Sequence, residues 1–179
     1  KTFKYDLGIA FDGDGDRVGF VDNQGRIIDI DKFMALMCRS IIPNSDNKTI
    51  LYDVKCSNTL RDEIEKLGGT PFMYRTGGNT YVKSKVKEMN LDFGGELSGH
   101  VIFRDKYIGI DDGIYAGIRF IEFLSNEDKS ASKLVDSLNK YYSTPEIRIE
   151  SSDQTKFSCI NNIKHEIDKE KDIKISTID

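Results

Sequence analysis

The sequence has few of the residues that build disulfide frameworks, histidine metal sites or membrane spans. Its cysteines, Cys38, Cys56 and Cys159, are odd in number and widely spaced, which argues against a disulfide framework and a zinc ribbon. Only two histidines are present, so a histidine-rich metal site is excluded. No stretch approaches the roughly 18–20 apolar residues of a membrane span. These absences suit a reducing compartment, and we expect a cytoplasmic protein that does not enter a membrane.

The overall charge argues against nucleic acid as a partner. The formal net charge is −4 at pH 7, whereas binding to a phosphate backbone requires a basic face. Hydrophobic residues make up 38% of the chain and charged residues 31%, as in a globular protein with a core. The 179 residues suffice for one domain, or for one domain and part of another. Because the sequence lacks an initiator methionine and leads directly into a strand, we expect a piece of a longer chain.

The most informative feature is an acidic, glycine-rich loop at residues 12–17, DGDGDR. Its carboxylates would repel one another by roughly 1–4 kcal/mol per pair at about 4 Å unless a cation lies among them. The intervening glycines allow tight turns, so Asp12, Asp14 and Asp16 can converge on one point. Carboxylate oxygens suit a hard divalent cation such as Mg2+. Arg17 adds a guanidinium suited to a phosphate oxygen, so the loop is interpreted as a magnesium–phosphate site.

Two alternatives compete with this interpretation of the loop. Acidic, glycine-rich segments are often plain solvated turns, and an EF-hand calcium loop shares the first five positions. An EF-hand requires Gly at its sixth position and Glu at its twelfth, but counting from Asp12 these are Arg17 and Asn23. The strand pattern on both sides places the carboxylates at the carboxyl end of a strand, which favours a metal site.

The hydrophobic pattern predicts strands that alternate with helices. Strands are predicted at residues 5–11 (buried), 18–21, 26–30, 49–53, 70–74, 91–93 and 101–103. Helices are predicted at residues 31–42, 59–67, 79–89, 114–124 and 131–142. Asp31 is interpreted as an N-terminal cap, and so is the pair Asp111–Asp112, with a second metal site as the alternative for the pair. This alternation indicates the α/β class, with helices flanking a mixed, mainly parallel sheet.

Ligands collect at the carboxyl ends of strands in such sheets, and three loops take that position. They are residues 12–17, 75–80 and 94–100. In the last loop Glu96, Ser98 and His100 alternate with other residues. Glutamate accepts hydroxyl hydrogen bonds, serine donates and accepts them, and histidine donates to phosphate or moves a proton. This set suits the binding of a sugar, and the alternative is an ordinary polar loop. Lys55, which follows another strand, is either a further candidate for binding an anion or an ordinary surface lysine.

Taken together, these motifs resemble the α-D-phosphohexomutases, most closely the bacterial phosphomannomutase/phosphoglucomutase branch. The matching stretches follow the family order and span nearly the whole chain: DLGIAFDGDGDRVGFVDNQGRII, YDVKCS, GGELSGHVIF, GIDDGIYAGIRFIE and YSTPEI. The combination of DGDGDR with GELSGH is highly specific. One departure is the segment TGGN at residues 76–79, where many relatives have TGHS, so a substrate-contacting histidine is missing.

The resemblance implies a domain layout. Residues 1–30 would end domain 2 and carry the metal loop, and residues 31–143 would form domain 3, with its mixed, mainly parallel sheet. Residues 144–179 would begin an α+β C-terminal domain, with a strand at 146–150, a helix at 153–168 and a strand start at 173–175. The family's catalytic serine and C-terminal phosphate loop lie outside these residues. The remaining domains of the same chain would be its partners.

The resemblance also implies the roles of the site residues. Mg2+ would be bound by Asp12, Asp14 and Asp16 together with a phosphoserine oxygen. The catalytic residues would be Arg17, His100 and Lys55. The substrate-binding residues would be Glu96, Ser98, His100 and Arg75. Either Arg75 or Asn79 would compensate for the missing histidine.

The implied activity is that of an isomerase of carbohydrate metabolism. It would interconvert the 1-phosphate and 6-phosphate of mannose or glucose through a phosphoserine enzyme and a sugar 1,6-bisphosphate. Glu96 and Ser98 would hold the 3- and 4-hydroxyls, which are equatorial in both sugars, so these contacts would not distinguish the epimers. The segment alone would be inactive. The alternatives are a non-catalytic sugar-phosphate or metal-binding module, a purely structural α/β domain and, within the family, a glucosamine-phosphate mutase.

Overall fold

A computed structural model describes residues 4–76, 79–142, 144 and 150–169 of the protein. The chain divides into two compact units, of which the first ends at Tyr141 and the second begins at Tyr142. The strands predicted at 146–150 and 173–175 fall on residues 145–149 and 170–179, outside the described residues, apart from residue 150. Within the described part, none of the helices has the length and apolar character needed to cross a bilayer.

The first unit contains two sheets. Leu7–Phe11 (β1), Val18–Asp22 (β2) and Ile27–Ile28 (β3) form an antiparallel sheet in the order β1-β2-β3. Thr49–Asp53 (β4), Thr70–Tyr74 (β5), Phe93–Gly95 (β6) and Val101–Phe103 (β7) form a second sheet in the order β5-β4-β6-β7. β4 runs parallel to β5 and β6, and β7 is antiparallel to β6. The second sheet is mixed and mainly parallel, which confirms the predicted α/β class.

Helices connect and cover these strands. In the first unit they are Ile30–Ile41 (α1), Asn58–Lys66 (α2), Asn79–Glu88 (α3), Gly113–Ser125 (α4) and Ala131–Asp136 (α5), and a short 3-10 helix spans Ile42–Asn44. The described part of the second unit contains Lys156–Ile167 (α6), within the predicted helix at 153–168.

Several predicted boundaries differ from the structure for local reasons. α1 is capped at Asp29, whose carbonyl accepts from the N–H groups of Lys32 and Phe33, so the predicted cap at Asp31 is wrong. The Asp31 carboxylate instead accepts from the N–H of Ser57 at 2.9 Å. β6 begins two residues later than predicted because Leu91 N donates to Val86 O and so closes the end of α3.

Two further expectations are corrected by the way the chain packs. β1 was predicted as a buried strand, but all five of its residues are partly or fully exposed. α5 ends at Asp136 rather than at residue 142. The Ser137 hydroxyl donates to Leu134 O at 2.6 Å, and a serine that bonds the preceding turn in this way weakens the continuation of a helix.

An aromatic cluster attaches the antiparallel sheet to the rest of the first unit. Phe20 of β2, Phe33 of α1 and Phe120 of α4 are almost completely buried, with ring centroids 4.5–5.1 Å apart. Full burial of such a side chain contributes about 1.5–3 kcal/mol, and each aromatic pair adds about 0.5–1.5 kcal/mol. This cluster therefore fixes the loop between β1 and β2 relative to the mixed sheet.

The opposite face of the mixed sheet has its own apolar core. Val82 and Val86 of α3 pack with Leu51 of β4, with Ile102 of β7 and with Leu91, which precedes β6. All five residues are fully buried. Helices therefore cover both faces of this sheet, and the carboxyl ends of β4, β5 and β6 meet at one edge.

Candidate active site

The loop between β1 and β2 is folded around the carboxylate of Asp12. Asp12 Oδ1 accepts hydrogen bonds from the N–H groups of Gly15 (3.1 Å) and Arg17 (3.2 Å), and Oδ2 accepts from Arg17 Nε (2.7 Å). Gly15 has a φ of 76°, a left-handed conformation that glycine adopts without steric cost. Desolvation raises the pKa of Asp12, but the hydrogen bonds from the Arg17 N–H and guanidinium outweigh it and the net pKa is lowered. Asp12 is therefore ionised at neutral pH.

The carboxylates of this loop converge on one point, as the sequence predicts. Asp12, Asp14 and Asp16 each offer an oxygen that lies within 4.8 Å of the other two. Asp16 Oδ1 is buried and has no hydrogen-bond partner among the described residues. Arg17 Nε lies 3.7 Å from it, which is too far for a hydrogen bond. A buried acceptor left in this way costs about 1–3 kcal/mol, and a bound cation would remove that cost. The donor set therefore fits a hard divalent cation.

The loop between β6 and β7 is a tight turn closed by its own backbone. Glu96 N donates to His100 O at 2.9 Å, and Gly99 N donates to Glu96 O at 3.1 Å. Glu96 is only 2% exposed, whereas Ser98 is exposed and its hydroxyl lies 3.1 Å from His100 Nδ1. The turn thus presents a carboxylate, a hydroxyl and an imidazole within a few ångströms of one another.

His100 joins this turn to the acidic loop. Its Nε2 lies 3.4 Å from Asp16 Oδ2, and its Nδ1 lies 3.3 Å from Glu96 Oε2. The backbones of Arg17 and His100 form an isolated antiparallel bridge, beside which Val18 N donates to Gly99 O at 3.3 Å. The structure therefore brings the predicted metal ligands and the predicted sugar-binding residues into one site.

Lys55 and Arg75 are placed at the same edge of the mixed sheet. Lys55 follows β4 and Arg75 follows β5, and β4 runs parallel both to β5 on one side and to β6 on the other. The Arg75 guanidinium lies over the ring of Tyr81, 4.0 Å from its centroid. Residues 77 and 78 of the altered TGGN segment lie outside the described residues.

Sequence reasoning missed Asp53, which supports the turn at Glu96. This aspartate ends β4 and is 1% exposed, and its Oδ1 accepts from Leu97 N at 3.1 Å and from Cys56 Sγ at 3.2 Å. Burial, followed by the charge of Asp53, raises the pKa of the Cys56 thiol. The available signal was an acidic residue at the carboxyl end of a buried strand, where a carboxylate usually has a specific partner.

Gly113, the first residue of α4, was also missed as a site residue. The sequence assigns Asp111–Asp112 to a helix cap, and Asp112 fills that role by accepting from Tyr115 N at 2.8 Å. Asp111 instead accepts from Lys83 Nζ at 2.8 Å. Gly113 N donates to Gly15 O at 2.9 Å, so the start of α4 lies against the acidic loop.

Comparison with known proteins gives a consistent set of relatives. A family model described as phosphoglucomutase/phosphomannomutase, alpha/beta/alpha domain III, matches residues 29–142. The phosphomannomutase/phosphoglucomutase of Pseudomonas syringae pv. tomato is 40% identical over 174 residues, which cover 97% of this chain and 37% of that protein. The phosphoglucomutase of Neisseria gonorrhoeae is 38% identical over 149 residues, which cover 83% of this chain and 32% of that protein.

A crystal structure shows the same similarity. The phosphoglucomutase/phosphomannomutase family protein of Burkholderia thailandensis superposes with a TM-score of 0.72 and 40% identity, over 78% of this chain and 30% of that one. The chain thus spans only about a third of the length of the relatives it matches. Since the family model covers more than half of the chain, including α1–α5 and the whole mixed sheet, the chain belongs to the phosphoglucomutase/phosphomannomutase family.

Proposed function

We propose that this chain is part of a mutase that interconverts the 1-phosphate and 6-phosphate of mannose or glucose through a sugar 1,6-bisphosphate. The observation that carries the proposal is the position of His100 between Asp16 of the acidic loop and Glu96 of the β6–β7 turn, 3.4 Å and 3.3 Å away. Phosphoryl transfer needs charge stabilisation for the phosphoryl oxygens directly beside a correctly held hydroxyl. The relatives that match at about 40% identity carry the corresponding names.

Mg2+ is the cation that we assign to Asp12, Asp14 and Asp16. Three carboxylates support this assignment, together with a buried Asp16 oxygen that has no hydrogen bond from any described residue. When bound, a divalent cation supplies electrostatic stabilisation to the oxygens of a transferring phosphoryl group. The Arg17 guanidinium carries five N–H donors, and the bond from its Nε to Asp12 fixes its orientation beside the cluster. We assign Arg17 to the phosphate.

The other site residues have two proposed roles, namely binding the sugar phosphate and accepting the proton of the attacking hydroxyl. Glu96 would accept hydrogen bonds from the sugar hydroxyls, and Ser98 would accept and donate them. Lys55 and Arg75 would offer positive charge to the second phosphate. In the transfer step, the attacking sugar hydroxyl oxygen forms a bond to phosphorus and the bond from phosphorus to the serine oxygen breaks. The hydroxyl proton passes to a base, for which we propose His100 because its imidazole lies between the two loops.

We also propose the domain layout that the family resemblance implies. Residues 1–30 would complete domain 2, residues 31–143 would form domain 3 and residues 144–179 would begin the C-terminal domain. Among the described residues β1 pairs only with β2, and Ile114, Ile118 and Ile121 of α4 are 52–58% exposed. An open sheet edge and an apolar stripe suit packing by the remainder of domain 2. The free cysteines suit the cytoplasm as its location.

The test uses the full-length protein with mannose 1-phosphate and glucose 1-phosphate, in the presence of glucose 1,6-bisphosphate. We expect magnesium-dependent formation of the 6-phosphates. Asp14→Asn should lower kcat by roughly 100-fold or more, because metal stabilisation is worth several kcal/mol and each factor of ten is 1.36 kcal/mol. The matched control is Asp46→Asn, which removes an exposed carboxylate away from the site.

Three outcomes would count against parts of this proposal. Near-normal turnover by Asp14→Asn would overturn the metal assignment. Sugar binding that does not depend on phosphate, without turnover by the full-length protein, would favour a non-catalytic module. Turnover by residues 1–179 alone would contradict the requirement for a serine outside this chain.

A further inference from the structure

The first residue of α4 holds the acidic loop by a hydrogen bond that is separate from those of Asp12. Gly113 N is one of the N–H groups that a helix leaves without an intrahelical partner, and it donates to Gly15 O at 2.9 Å. A Cβ atom on Gly113 would lie 2.5 Å from Arg17 O, 2.6 Å from Arg17 C and 3.0 Å from Gly15 O. These neighbours are backbone atoms, so any side chain at position 113 would displace the loop itself.

The segment before Gly113 is attached firmly to the rest of the first unit. The Asp112 carboxylate accepts from Tyr115 N and from the Tyr107 hydroxyl, each at 2.8 Å. The Tyr107 ring stacks on that of Tyr115 with a centroid distance of 3.9 Å. Asp111 is bound by Lys83 of α3 and forms a bridge with Ile102 of β7. The start of α4 is therefore a rigid support that reaches the loop from the mixed sheet.

We propose that Asp112 and Gly113 are positioning residues for the metal site, an inference that rests on the proposed function. Gly15 lies between Asp14 and Asp16, and its carbonyl belongs to the peptide group that also carries Asp16 N. When Gly113 fixes this carbonyl, it fixes the direction in which both neighbouring carboxylates leave the backbone. A side chain at position 113 would press on the Arg17 carbonyl, so glycine here leaves room for the backbone that carries the guanidinium.

The geometry also has an electrostatic consequence. The N-terminus of a helix carries roughly half a positive charge, and its effect is confined to the first turn. α4 is 13 residues long and begins against a loop with three carboxylates. Its first turn therefore favours the ionised loop as well as holding its backbone.

The test is Gly113→Ala in the full-length protein, with metal affinity as the readout. Mn2+ binding measured by electron paramagnetic resonance, and Mg2+ binding by calorimetry, should both weaken at least tenfold. The value of kcat should fall as well, because the displaced loop carries both the metal ligands and Arg17. A loss of stability alone would not weaken metal binding by the folded protein.

The matched control is Gly117→Ala, one turn further along the same helix. A Cβ atom there would meet only side chains, Ile9 Cγ2 at 3.4 Å and the Phe11 ring at 3.4–3.5 Å. It adds the same methyl group to α4 without touching the acidic loop. Metal affinity should stay at the wild-type value.

If Gly113→Ala does not fold, two variants of Asp112 test the positioning role instead. Asp112→Ala removes the cap and the partner of Tyr107, and should weaken Mn2+ binding about threefold. Asp112→Asn keeps a capping oxygen and should restore the affinity. Wild-type affinity in folded Gly113→Ala, or in Asp112→Ala, would overturn the positioning role. A wild-type protein that binds no divalent cation and has no mutase activity would instead overturn the proposed function.

Discussion

The acidic loop and the β6–β7 turn both connect antiparallel strands, yet they are held in different ways. In the acidic loop Asp12 is both a candidate metal ligand and the acceptor that holds the loop together. In the turn these tasks are separate. Buried Asp53 holds the backbone by accepting from Leu97 N, whereas Glu96 and Ser98 are the residues proposed to bind the substrate. A substitution in the acidic loop therefore changes structure and chemistry together. In the turn the two can be changed independently.

Among the variants that distinguish the β6–β7 turn from the acidic loop, we expect the largest effect from Glu96→Gln. A hydrogen bond to a charged group contributes about 1.5–3 kcal/mol, so the KM for hexose phosphate should rise roughly 10- to 150-fold in the full-length protein. Mg2+ affinity should be unchanged, because Glu96 is outside the carboxylate cluster. Steady-state kinetics and calorimetry measure the two quantities, with exposed Glu88→Gln as the control. An unchanged KM would contradict the assignment of Glu96 to the sugar.

Asp53→Ala tests separately whether Asp53 holds the backbone of the β6–β7 turn. Removing this acceptor leaves Leu97 N without its partner in a partly buried position, at a cost of up to about 1–3 kcal/mol. Amide hydrogen exchange in the peptide containing Leu97 should therefore become roughly 5- to 150-fold faster. Asp53→Asn keeps an acceptor oxygen and should recover most of the protection. If exchange in Asp53→Ala matches that of exposed Asp46→Ala, the turn does not depend on Asp53.

Asp22 and Asp136 show the case in which one arginine, Arg26, pairs with two carboxylates, and here the expected effect is smallest. Burial raises the pKa of Asp22, but hydrogen bonds from the N–H and guanidinium of Arg26 outweigh it, and the net pKa is lowered. A hydrogen bond from Arg26 also lowers the pKa of Asp136. Both folded-state values lie below the ordinary 3.8. The stabilisation is therefore present above about pH 4 and lost as the pH falls through the folded-state values.

Thermal melting between pH 7 and pH 3 measures this contribution. Asp136→Asn should melt slightly below the wild type above pH 4, and the two curves should converge at lower pH. Asp46→Asn, without a described arginine partner, should follow the wild type throughout. A constant difference between Asp136→Asn and the wild type at all pH values would show that the carboxylate charge is not the cause.

Local patterns were enough to predict most of the elements and the acidic loop. The bounds of β4, β5 and β7 agree with the predictions residue by residue, because short apolar runs between turn residues define them. The convergence of the carboxylates followed from their spacing and the intervening glycines. These features depend on neighbours in the sequence.

The features that sequence reasoning missed depend on contacts between distant residues. Asp53 and Leu97 are 44 positions apart, and their hydrogen bond leaves no periodic signal in the chain. The approach of Gly113 to Gly15 likewise follows from how α4 packs on β1 and β2. The exposure of β1 was missed for the same reason, since an apolar strand gives no information about which elements cover it.

The backbone bridge between Arg17 and His100 has a consequence for how loop lengths can vary among relatives. Each loop must place one residue in register with the other, because Val18 N donates to Gly99 O across the bridge. An insertion or deletion in either loop would shift this register and turn side chains to the opposite face. The lengths of the two loops are therefore expected to change together or not at all, even though the bridged residues are 83 positions apart in the sequence.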